Sequence, residues 1–323
     1  MRVIFMGTPE FAVPSLRTLI ASSYDVVAAF TQPDRPSGRG HKPQAPPVKN
    51  LALAHDIPVY QPEKVRTEDH RSLLQQLAPD FIVVVAYGQI LPAWLLKTPR
   101  IAPVNIHGSL LPKYRGAAPI IWALLNGEPV TGITTMLMDE HIDTGPILLK
   151  REFPIADTMT AGDLGDHMAR LGADMLIPTL GGLQNGSIKP ETQDSLQASW
   201  APRISKEQAE IIWNRSAREI HNQIRAFHPW PLAFTEHQGQ RIQLLRSRFA
   251  GAPELRMHEP GTFLSKTGEG ILVQCGDAAI EILELQPANR RAISGREFAN
   301  GARLSPGMLL FHRRISPSGG ISR

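Results

Sequence analysis

The chain has 323 residues, of which 42% are apolar and 20% are charged, and it contains one cysteine, Cys275. This composition is typical of a globular protein, and it excludes collagen, a coiled coil, general disorder, a disulfide framework and a metal site built from several cysteines. The charge is uneven, because residues 1–200 carry 17 Lys and Arg against 19 Asp and Glu, whereas residues 201–323 carry 17 against 11, a net of +6. A basic C-terminal third suggests a polyanionic partner, although an ordinary solvent-exposed basic face explains the charge equally simply.

Residues 1–6 begin a strand-like pattern directly, with neither the charged start nor the long apolar core of a signal peptide. The most apolar stretch, residues 81–96, is interrupted by Gly88 and Pro92 and is too short to span a bilayer. We therefore expect a cytoplasmic protein with no membrane contact, in which Cys275 is a buried small apolar residue.

Short apolar runs alternate with helix-like stretches over residues 1–189. The predicted strands are 2–6, 25–31, 57–60, 80–86, 104–107 and 132–138, and the predicted helices include 47–55, 67–77, 119–125 and 160–184. This alternation predicts an α/β domain with a Rossmann-like, mostly parallel sheet covered by helices on both faces.

A polar, irregular segment at 190–204 predicts a linker before a second domain at 205–323. Serine followed three residues later by Gln or Glu, the capping-box spacing, occurs at Ser205, Ser216 and Ser294. Short strands are predicted at 241–246, 261–264, 270–274 and 279–285. Short strands separated by Gly and Pro turns indicate a small OB-like β-barrel.

The loop after the first strand, G-T-P-E-F at 7–11, occupies the position of a dinucleotide fingerprint. It lacks the second and third glycines of that motif, and the chain has no Walker-type phosphate loop. The crevice at the carboxyl ends of the strands must therefore bind a different ligand.

Three polar residues are candidates for this crevice. Asn105 and His107 are two residues apart on a predicted strand, so their side chains point to the same face, and Asp143 follows the strand at 132–138. A carboxylate can orient an imidazole that transfers protons, and an amide can stabilise an oxyanion. Because no G-x-S-x-G motif is present, the set predicts acyl transfer to a nucleophile supplied by the substrate. Taken singly, each residue also fits a structural role.

The surrounding sequence carries a family resemblance. Residues 105–120, N-I-H-G-S-L-L-P-K-Y-R-G-A-A-P-I, resemble the signature of folate-dependent formyltransferases. Further stretches resemble the branch of that family that acts on methionyl-tRNA: F-M-G-T-P-E-F-A-V-P-S-L (5–16), F-T-Q-P-D-R-P-S-G-R-G (30–40), V-V-V-A-Y-G-Q-I-L-P (83–92), D-T-G-P-I-L (143–148), R-A-F-H-P-W-P (225–231) and L-Q-P-A (285–288). His141 departs from the family pattern, which usually has glycine there.

The resemblance implies that the formyl group of 10-formyltetrahydrofolate passes to the amino group of methionine on initiator tRNA. It implies that Asn105, His107 and Asp143 are catalytic and that no metal or redox cofactor takes part. We further expect the chain to be a monomer. The residues expected to contact the folate donor are Ser109, Leu110, Leu111 and Pro112, which match the family's folate segment, and Tyr87, Gly88, Ile90 and Leu91, whose apolar run would flank the pterin ring.

The loop at 32–43 is basic and rich in proline and glycine. The resemblance implies that it enters the acceptor end of the tRNA, with Arg39 as its key residue and Arg35 and Lys42 beside it, although an ordinary surface loop has the same composition. Arginines of the C-terminal domain, among them Arg246, Arg290 and Arg291, are expected to contact the RNA backbone.

Three alternatives remain open from the sequence. A related formyltransferase could act on a small amine or a nucleotide sugar, and it would not need the basic loop and basic domain. A formyl-folate hydrolase would use water in place of the amine. An inactive RNA-binding protein would bind tRNA without transferring a formyl group, although the complete Asn105, His107 and Asp143 set argues against it.

Overall fold

The computed structural model describes residues 1–37, 42–251 and 258–311. Residue contacts divide the chain into two compact units. The first unit contains Met1–Ile120, Val130–Pro154 and Leu164–Arg203, and the second contains Ile121–Pro129, Ile155–Asp163 and the residues from Ile204 onward.

The first unit is built on a seven-stranded sheet with the order β5-β2-β1-β6-β7-β8-β9. The strands of this unit, including the separate β3–β4 pair, are β1 (Arg2–Gly7), β2 (Asp25–Phe30), β3 (Arg35–Ser37), β4 (Lys42–Gln44), β5 (Val59–Tyr60), β6 (Phe81–Val85), β7 (Ala102–His107), β8 (Val130–Leu137) and β9 (Ile147–Pro154). Strands β5, β2, β1, β6 and β7 are parallel, as predicted. All five residues of β6 are buried, because helices cover both faces of the sheet centre.

Five helices lie wholly or mostly in the first unit: α1 (Val13–Ile20), α2 (Pro47–Leu53), α3 (Glu68–Leu77), α4 (Ala93–Leu96) and α6 (Ala161–Asn185). Three others lie wholly or mostly in the second unit: α5 (Pro119–Leu125), α7 (Ala217–Ala226) and α8 (Gly295–Gly301). Gly172 of α6 lies against the Ile106 side chain of β7, and a Cβ there would come within 2.8 Å of Ile106. The absence of a side chain therefore lets α6 approach the centre of β7 closely.

The edge of this sheet differs from a simple parallel arrangement. Strand β8 is antiparallel to β7, and β9 is antiparallel to β8. The sequence predicts no strand at β9, because charged residues interrupt its apolar run. In the structure these charged residues are exposed at the edge of the sheet. The loop predicted at 32–43 also contains a short hairpin of β3 and β4.

The second unit contains the predicted C-terminal antiparallel sheet. Its strands are β10 (Phe234–His237), β11 (Gln240–Phe249), β12 (Phe263–Lys266), β13 (Ile271–Gln274), β14 (Ala279–Pro287) and β15 (Ile293–Ser294). They pair in the order β10-β11-β14-β13-β12, with β15 on β14. Ser216 and Ser294 form complete capping boxes with Glu219 and Glu297, which confirms two of the three predicted boxes. Ser205 instead precedes a single 3₁₀ turn.

The segment predicted as a linker, 190–204, packs against the first unit up to Arg203 and is not a free linker there. Glu191 forms a β-bridge with Ile147, and Trp200 forms one with Arg115. Gln193 is buried. Polar composition suggested a linker, but here the polar groups bond to main chain and side chains of the first unit.

Cys275 is buried in the second unit, as predicted. Burial raises the pKa of its thiol to about 12, so the thiol stays protonated and unreactive at neutral pH. No helix in the described ranges has the length and the apolar character needed to cross a membrane.

His221 is expected to make the stability of the second unit depend on pH. It is buried, with Nδ1 2.9 Å from Ser247 Oγ and Nε2 3.0 Å from the Asp157 carbonyl oxygen, and burial lowers its pKa below the usual 6.5. At a pH between the lowered pKa and 6.5, the imidazole is therefore protonated in the unfolded chain and neutral in the folded chain. We expect unfolding free energy to fall as pH drops below about 6.5, by up to about 1.4 kcal/mol per pH unit.

The measurement is denaturant unfolding between about pH 7 and pH 5, for wild type and His221→Gln. The variant keeps a polar group of similar length and should lose part of this pH slope. Equal slopes in the two proteins would show that His221 does not cause the effect.

Candidate active site

Alternation along β7 sets the first two site residues. Ile106 packs towards α6, so Asn105 and His107, one residue before and after it, point to the opposite face of the sheet. Both side chains are largely buried, His107 being 6% exposed. The predicted shared face of Asn105 and His107 therefore follows from the strand geometry.

Asp143 reaches His107 by a different route. In the antiparallel register Leu137, the last residue of β8, pairs with Val104, so β8 ends beside the first half of β7. The following loop returns towards His107, and Asp143 adopts a positive φ of 53° within it. Gly145 passes so close to the Leu137 carbonyl oxygen that a side chain there would overlap it.

His107 and Asp143 form a close pair. Nδ1 of His107 is 3.6 Å from Oδ2 of Asp143, which also accepts a 2.8 Å hydrogen bond from the Gly116 amide. On the other side of the ring, Nε2 is 2.9 Å from the Tyr114 carbonyl oxygen. A carbonyl can only accept, so Nε2 carries the proton and Nδ1 faces the carboxylate. Protonation of Nδ1 would place a positive charge beside Asp143.

Asn105 differs from its two neighbours in its bonding. Within the part of the chain that the structure describes, its side-chain amide makes no hydrogen bond. It is 9% exposed, so the amide is close to the surface without being freely solvated. A largely buried donor in this state can be used by a bound substrate.

Two further residues support this region, and the sequence does not identify either of them. The buried Gln193 donates to the carbonyl oxygens of Asp143 and Gly145, and it accepts two bonds from the buried Arg115. Arg115 lies inside the family signature but carries no catalytic chemistry of its own. Gln193 lies among polar residues that suggest a linker, so nothing in the sequence distinguishes it.

In the segment predicted to contact folate, residues 109–112, two of the four side chains face inward. Ser109 is buried and its hydroxyl donates to the Lys113 carbonyl, while Leu111 packs with Met136 and Ile147. Leu110 and Pro112 are half-buried. A ligand would therefore meet these two side chains and the main chain, and the side chains of Ser109 and Leu111 are occupied by internal contacts.

The second predicted folate segment is also divided. Tyr87 and Leu91 are buried in the hydrophobic core of the first unit, so other side chains cover most of their surface. Gly88 is exposed at a φ of 84°, and Ile90 is 75% exposed. Within this segment, Tyr87 and Leu91 therefore pack in the core, whereas Gly88 and Ile90 are exposed.

A cavity of about 630 Å³ lies beside the carboxyl ends of β1, β2 and β6. Arg35, Gln32, Glu10 and Arg203 line it together with several prolines and with residues 86–88. Arg35 is exposed and donates to Gln32. The side chain of Lys42 and all of Arg39 lie outside what the structure describes.

The other predicted RNA contacts belong to the second unit. Arg246 is exposed on β11, and Arg290 and Arg291 are exposed after β14. Arg246 lies on a strand, and Arg290 and Arg291 lie in the segment between β14 and β15. Among the described residues, no group of three or more His, Cys, Asp and Glu could hold a metal ion.

Comparisons with known proteins show the family of the chain. The family model described as formyl transferase matches residues 1–180, and the model described as formyl transferase, C-terminal domain, matches residues 203–303. A protein of Pelobacter propionicus named methionyl-tRNA formyltransferase is 49% identical over 308 residues, 95% of each chain. A protein of the same name from Geobacter sulfurreducens is 49% identical over 310 residues, 96% of each chain.

Solved structures show the same fold. WlaRD, described as a sugar 3N-formyl transferase, has a TM-score of 0.66 at 23% identity, covering 90% of this chain and 99% of its own. A methionyl-tRNA formyltransferase from Clostridium thermocellum has a TM-score of 0.55 at 17% identity, covering 89% and 98%. Both family models match, and the relatives span nearly the full length. The chain therefore belongs to the formyl transferase family.

Proposed function

We propose that this chain transfers the formyl group of 10-formyltetrahydrofolate to the α-amino group of methionine on initiator tRNA. The observation that carries the proposal is the pair formed by His107 and Asp143, whose Nδ1 and Oδ2 atoms are 3.6 Å apart. The His107 side chain lies on the same face of its strand as that of Asn105. Relatives 49% identical over nearly the full length are named methionyl-tRNA formyltransferase. That level of identity favours the tRNA acceptor over the sugar acceptor of the 23% identical WlaRD.

The reaction forms one C–N bond and breaks another. The methionine nitrogen attacks the formyl carbon, and the formyl oxygen becomes an oxyanion in a tetrahedral intermediate. The bond from this carbon to N10 of the folate then breaks, while the attacking nitrogen loses one proton and N10 gains one. No oxidant or reductant is needed.

The contacts of Asn105, His107 and Asp143 suggest a separate role for each residue in this reaction. Asn105 donates its otherwise unbonded amide to the oxyanion. Because Nε2 of His107 is held by the Tyr114 carbonyl, the imidazolium acts on the oxyanion through its charge. Asp143 stabilises that imidazolium and helps the proton move from the amine to N10.

The folate donor would lie against half-buried and exposed groups. Leu110, Pro112, Gly88 and Ile90 are available for this contact by their exposure. Ser109, Leu111, Tyr87 and Leu91 would act by shaping the main chain that the donor meets. An arrangement of apolar surface and main-chain polar groups suits a flat ring with a few polar atoms.

The aminoacylated end of the tRNA would approach from the cavity beside Arg35. The cavity adjoins the main chain after β6, and β6 is the neighbour of β7 in the sheet. Arg35 and Arg203 at its walls suit a phosphate backbone. Arg39 and Lys42 belong to the same basic loop, and by the family resemblance Arg39 contacts the acceptor end.

The second unit would supply the remaining RNA contacts. Arg246, Arg290 and Arg291 are exposed cationic side chains in this unit. We propose residues 1–189 as the catalytic domain and 205–323 as the tRNA-binding domain, with a cytoplasmic location and a monomeric state as further predictions.

Replacing both Arg290 and Arg291 with alanine should weaken tRNA binding about tenfold near physiological salt. Each exposed arginine that contacts a phosphate releases about one counterion, so the slope of log affinity against log salt should fall by about two. Filter binding of initiator tRNA at several salt concentrations measures both effects.

A matched control removes two exposed cations from the first unit, by Arg17→Ala with Lys97→Ala. This control has the same net charge as the test variant. If both double variants lost affinity equally, the effect would be one of total charge, and the assignment of Arg290 and Arg291 would fail.

The function itself is tested by supplying purified protein with 10-formyltetrahydrofolate and initiator methionyl-tRNA. We expect formylmethionyl-tRNA to accumulate in step with consumption of the donor. Rapid formate release without tRNA would indicate the hydrolase instead. Firm tRNA binding without any donor consumption would indicate an inactive RNA-binding protein.

A further inference from the structure

Both polar atoms of the Gln193 side chain form hydrogen bonds beside the catalytic pair, Nε2 to the Asp143 turn and Oε1 to Arg115. Its Nε2 donates to the Asp143 carbonyl oxygen at 2.9 Å and to the Gly145 carbonyl oxygen at 2.7 Å. Its Oε1 accepts from Nε and from a terminal nitrogen of Arg115, at 3.1 and 2.7 Å. Gln193 is 7% exposed and Arg115 is 5% exposed, so water competes little with these bonds.

Arg115 is itself held firmly by its main chain. Its amide donates to the Ser199 carbonyl at 2.8 Å, and its carbonyl accepts from the Ala201 amide at 2.7 Å. The residue before Arg115 and the residue after it each bond through their main chain to one member of the His107–Asp143 pair. Tyr114 contributes the carbonyl that holds His107 Nε2, and Gly116 contributes the amide that holds Asp143 Oδ2.

Gln193 therefore connects two segments that come from distant parts of the chain. One is the Tyr114–Arg115–Gly116 segment, which holds one side of the pair. The other is the Asp143–Thr144–Gly145 turn, which carries the carboxylate. The Asp143 turn is thus held from two sides, by the Gly116 amide on Asp143 Oδ2 and by the Gln193 amide on the Asp143 and Gly145 carbonyl oxygens.

We propose that Gln193, seated on Arg115, is a positioning residue that fixes the Asp143 carboxylate at its working distance from His107. This inference rests on the proposed function and adds a residue to its site. Gln193 touches neither substrate nor the reacting atoms, and it acts through the main chain of the Asp143 turn. Outer residues of this kind orient catalytic groups, and a displacement of about 1 Å can cost about a hundredfold in rate.

The chemistry of the pair explains why this distance matters. Asp143 is held in a loop with a positive φ, which is a conformation that needs support from its surroundings. If the turn relaxes, the carboxylate moves away from Nδ1 and the imidazolium loses its neighbouring charge. Substrate binding should change little, because the folate and tRNA contacts lie on other residues.

Two variants test the proposal. Gln193→Ala removes every bond, and Gln193→Glu keeps the volume and the Arg115 partner but replaces the donor to the two carbonyls with an acceptor. We expect each to lower kcat about tenfold or more, with KM for both substrates within about threefold of wild type. We also expect the pH profile of kcat to shift, which a general loss of stability would not cause.

Gln274→Ala is the matched control. Gln274 is also a buried glutamine whose Nε2 donates to two carbonyl oxygens, those of Cys275 and Ala278, but it lies in the second unit. We expect this variant to lose a similar amount of thermal stability while kcat and its pH profile stay within about twofold of wild type.

Several results would overturn the proposal. They are a folded Gln193→Glu variant with kcat within twofold of wild type, a loss of kcat with an unchanged pH profile, and an equal loss in Gln274→Ala. Failure of both Gln193 variants to fold would mark Gln193 as a folding residue and also overturn it.

A readout without activity separates this inference from the proposed function. The NMR signals of the His107 ring should change in Gln193→Ala and not in Gln274→Ala, because only the first variant moves the neighbouring carboxylate. A wild-type chain that transfers no formyl group would refute the function, whereas unchanged His107 signals would refute the positioning role.

Discussion

Replacing His107 with alanine, or Asp143 with asparagine, is expected to lower the rate of formyl transfer by about a thousandfold. His107→Ala removes the charge that stabilises the oxyanion, and Asp143→Asn keeps the shape of the side chain but removes the partner of the imidazolium. The affinity for tRNA should stay within about twofold, because neither side chain belongs to a basic surface. Single-turnover formylation and filter binding of tRNA measure the two quantities.

His141→Ala provides the control for this experiment. His141 is an exposed histidine two residues before Asp143, and its main-chain amide bonds to Asp139. We expect the variant to retain transfer within about twofold, because the His141 side chain is exposed. Near-normal turnover in His107→Ala or Asp143→Asn would refute the roles assigned to the pair.

Gly145→Ala is expected to destabilise the protein by about 3 kcal/mol or more and to remove most of its activity. A Cβ at this position would overlap the Leu137 carbonyl oxygen, which is main chain at the end of β8 and cannot rotate away. The turn would have to shift, and Asp143 lies only two residues before Gly145. Thermal unfolding and kcat measure the two losses.

Gly181→Ala is the contrasting variant. Gly181 lies in α6 with no atom within 4 Å of the position that its Cβ would take. Alanine in a helix is favoured over glycine, so this variant should be more stable by about 0.5–1 kcal/mol and fully active. A Gly145→Ala protein as stable as wild type would show that the turn can relax at little cost.

The sheet and half of the site could be predicted from local patterns. The apolar run of β6 indicates a strand buried on both faces, and the structure has it so. The spacing of Asn105 and His107 puts them on one face of a strand whatever the rest of the fold. These features depend only on the period of a strand and on the order of elements along the chain.

The other half of the site depends on contacts between distant segments. The direction of β8 relative to β7 decides where Asp143 can lie, and the sequence does not contain that direction. Gln193 meets the Asp143 turn across 50 residues, from a segment whose polar composition suggests a linker. Packing between segments, rather than any local preference, makes this segment part of the first unit.

The apolar segment after β6 shows what composition alone leaves open. Tyr87 and Leu91 follow a central strand, where ligand pockets are common, but both side chains complete the core. A short apolar run cannot distinguish a pocket wall from a core position, because both remove apolar surface from water. The exposed Gly88 and Ile90 remain the available contacts of this segment.

The most direct test of the account offers one limiting formyl donor to three acceptors together: initiator methionyl-tRNA, uncharged tRNA and a small primary amine. We predict that nearly all of the label from 10-formyltetrahydrofolate appears as N-formylmethionine on the charged tRNA. Label on the small amine in preference to the charged tRNA, or its release as formate, would contradict the account.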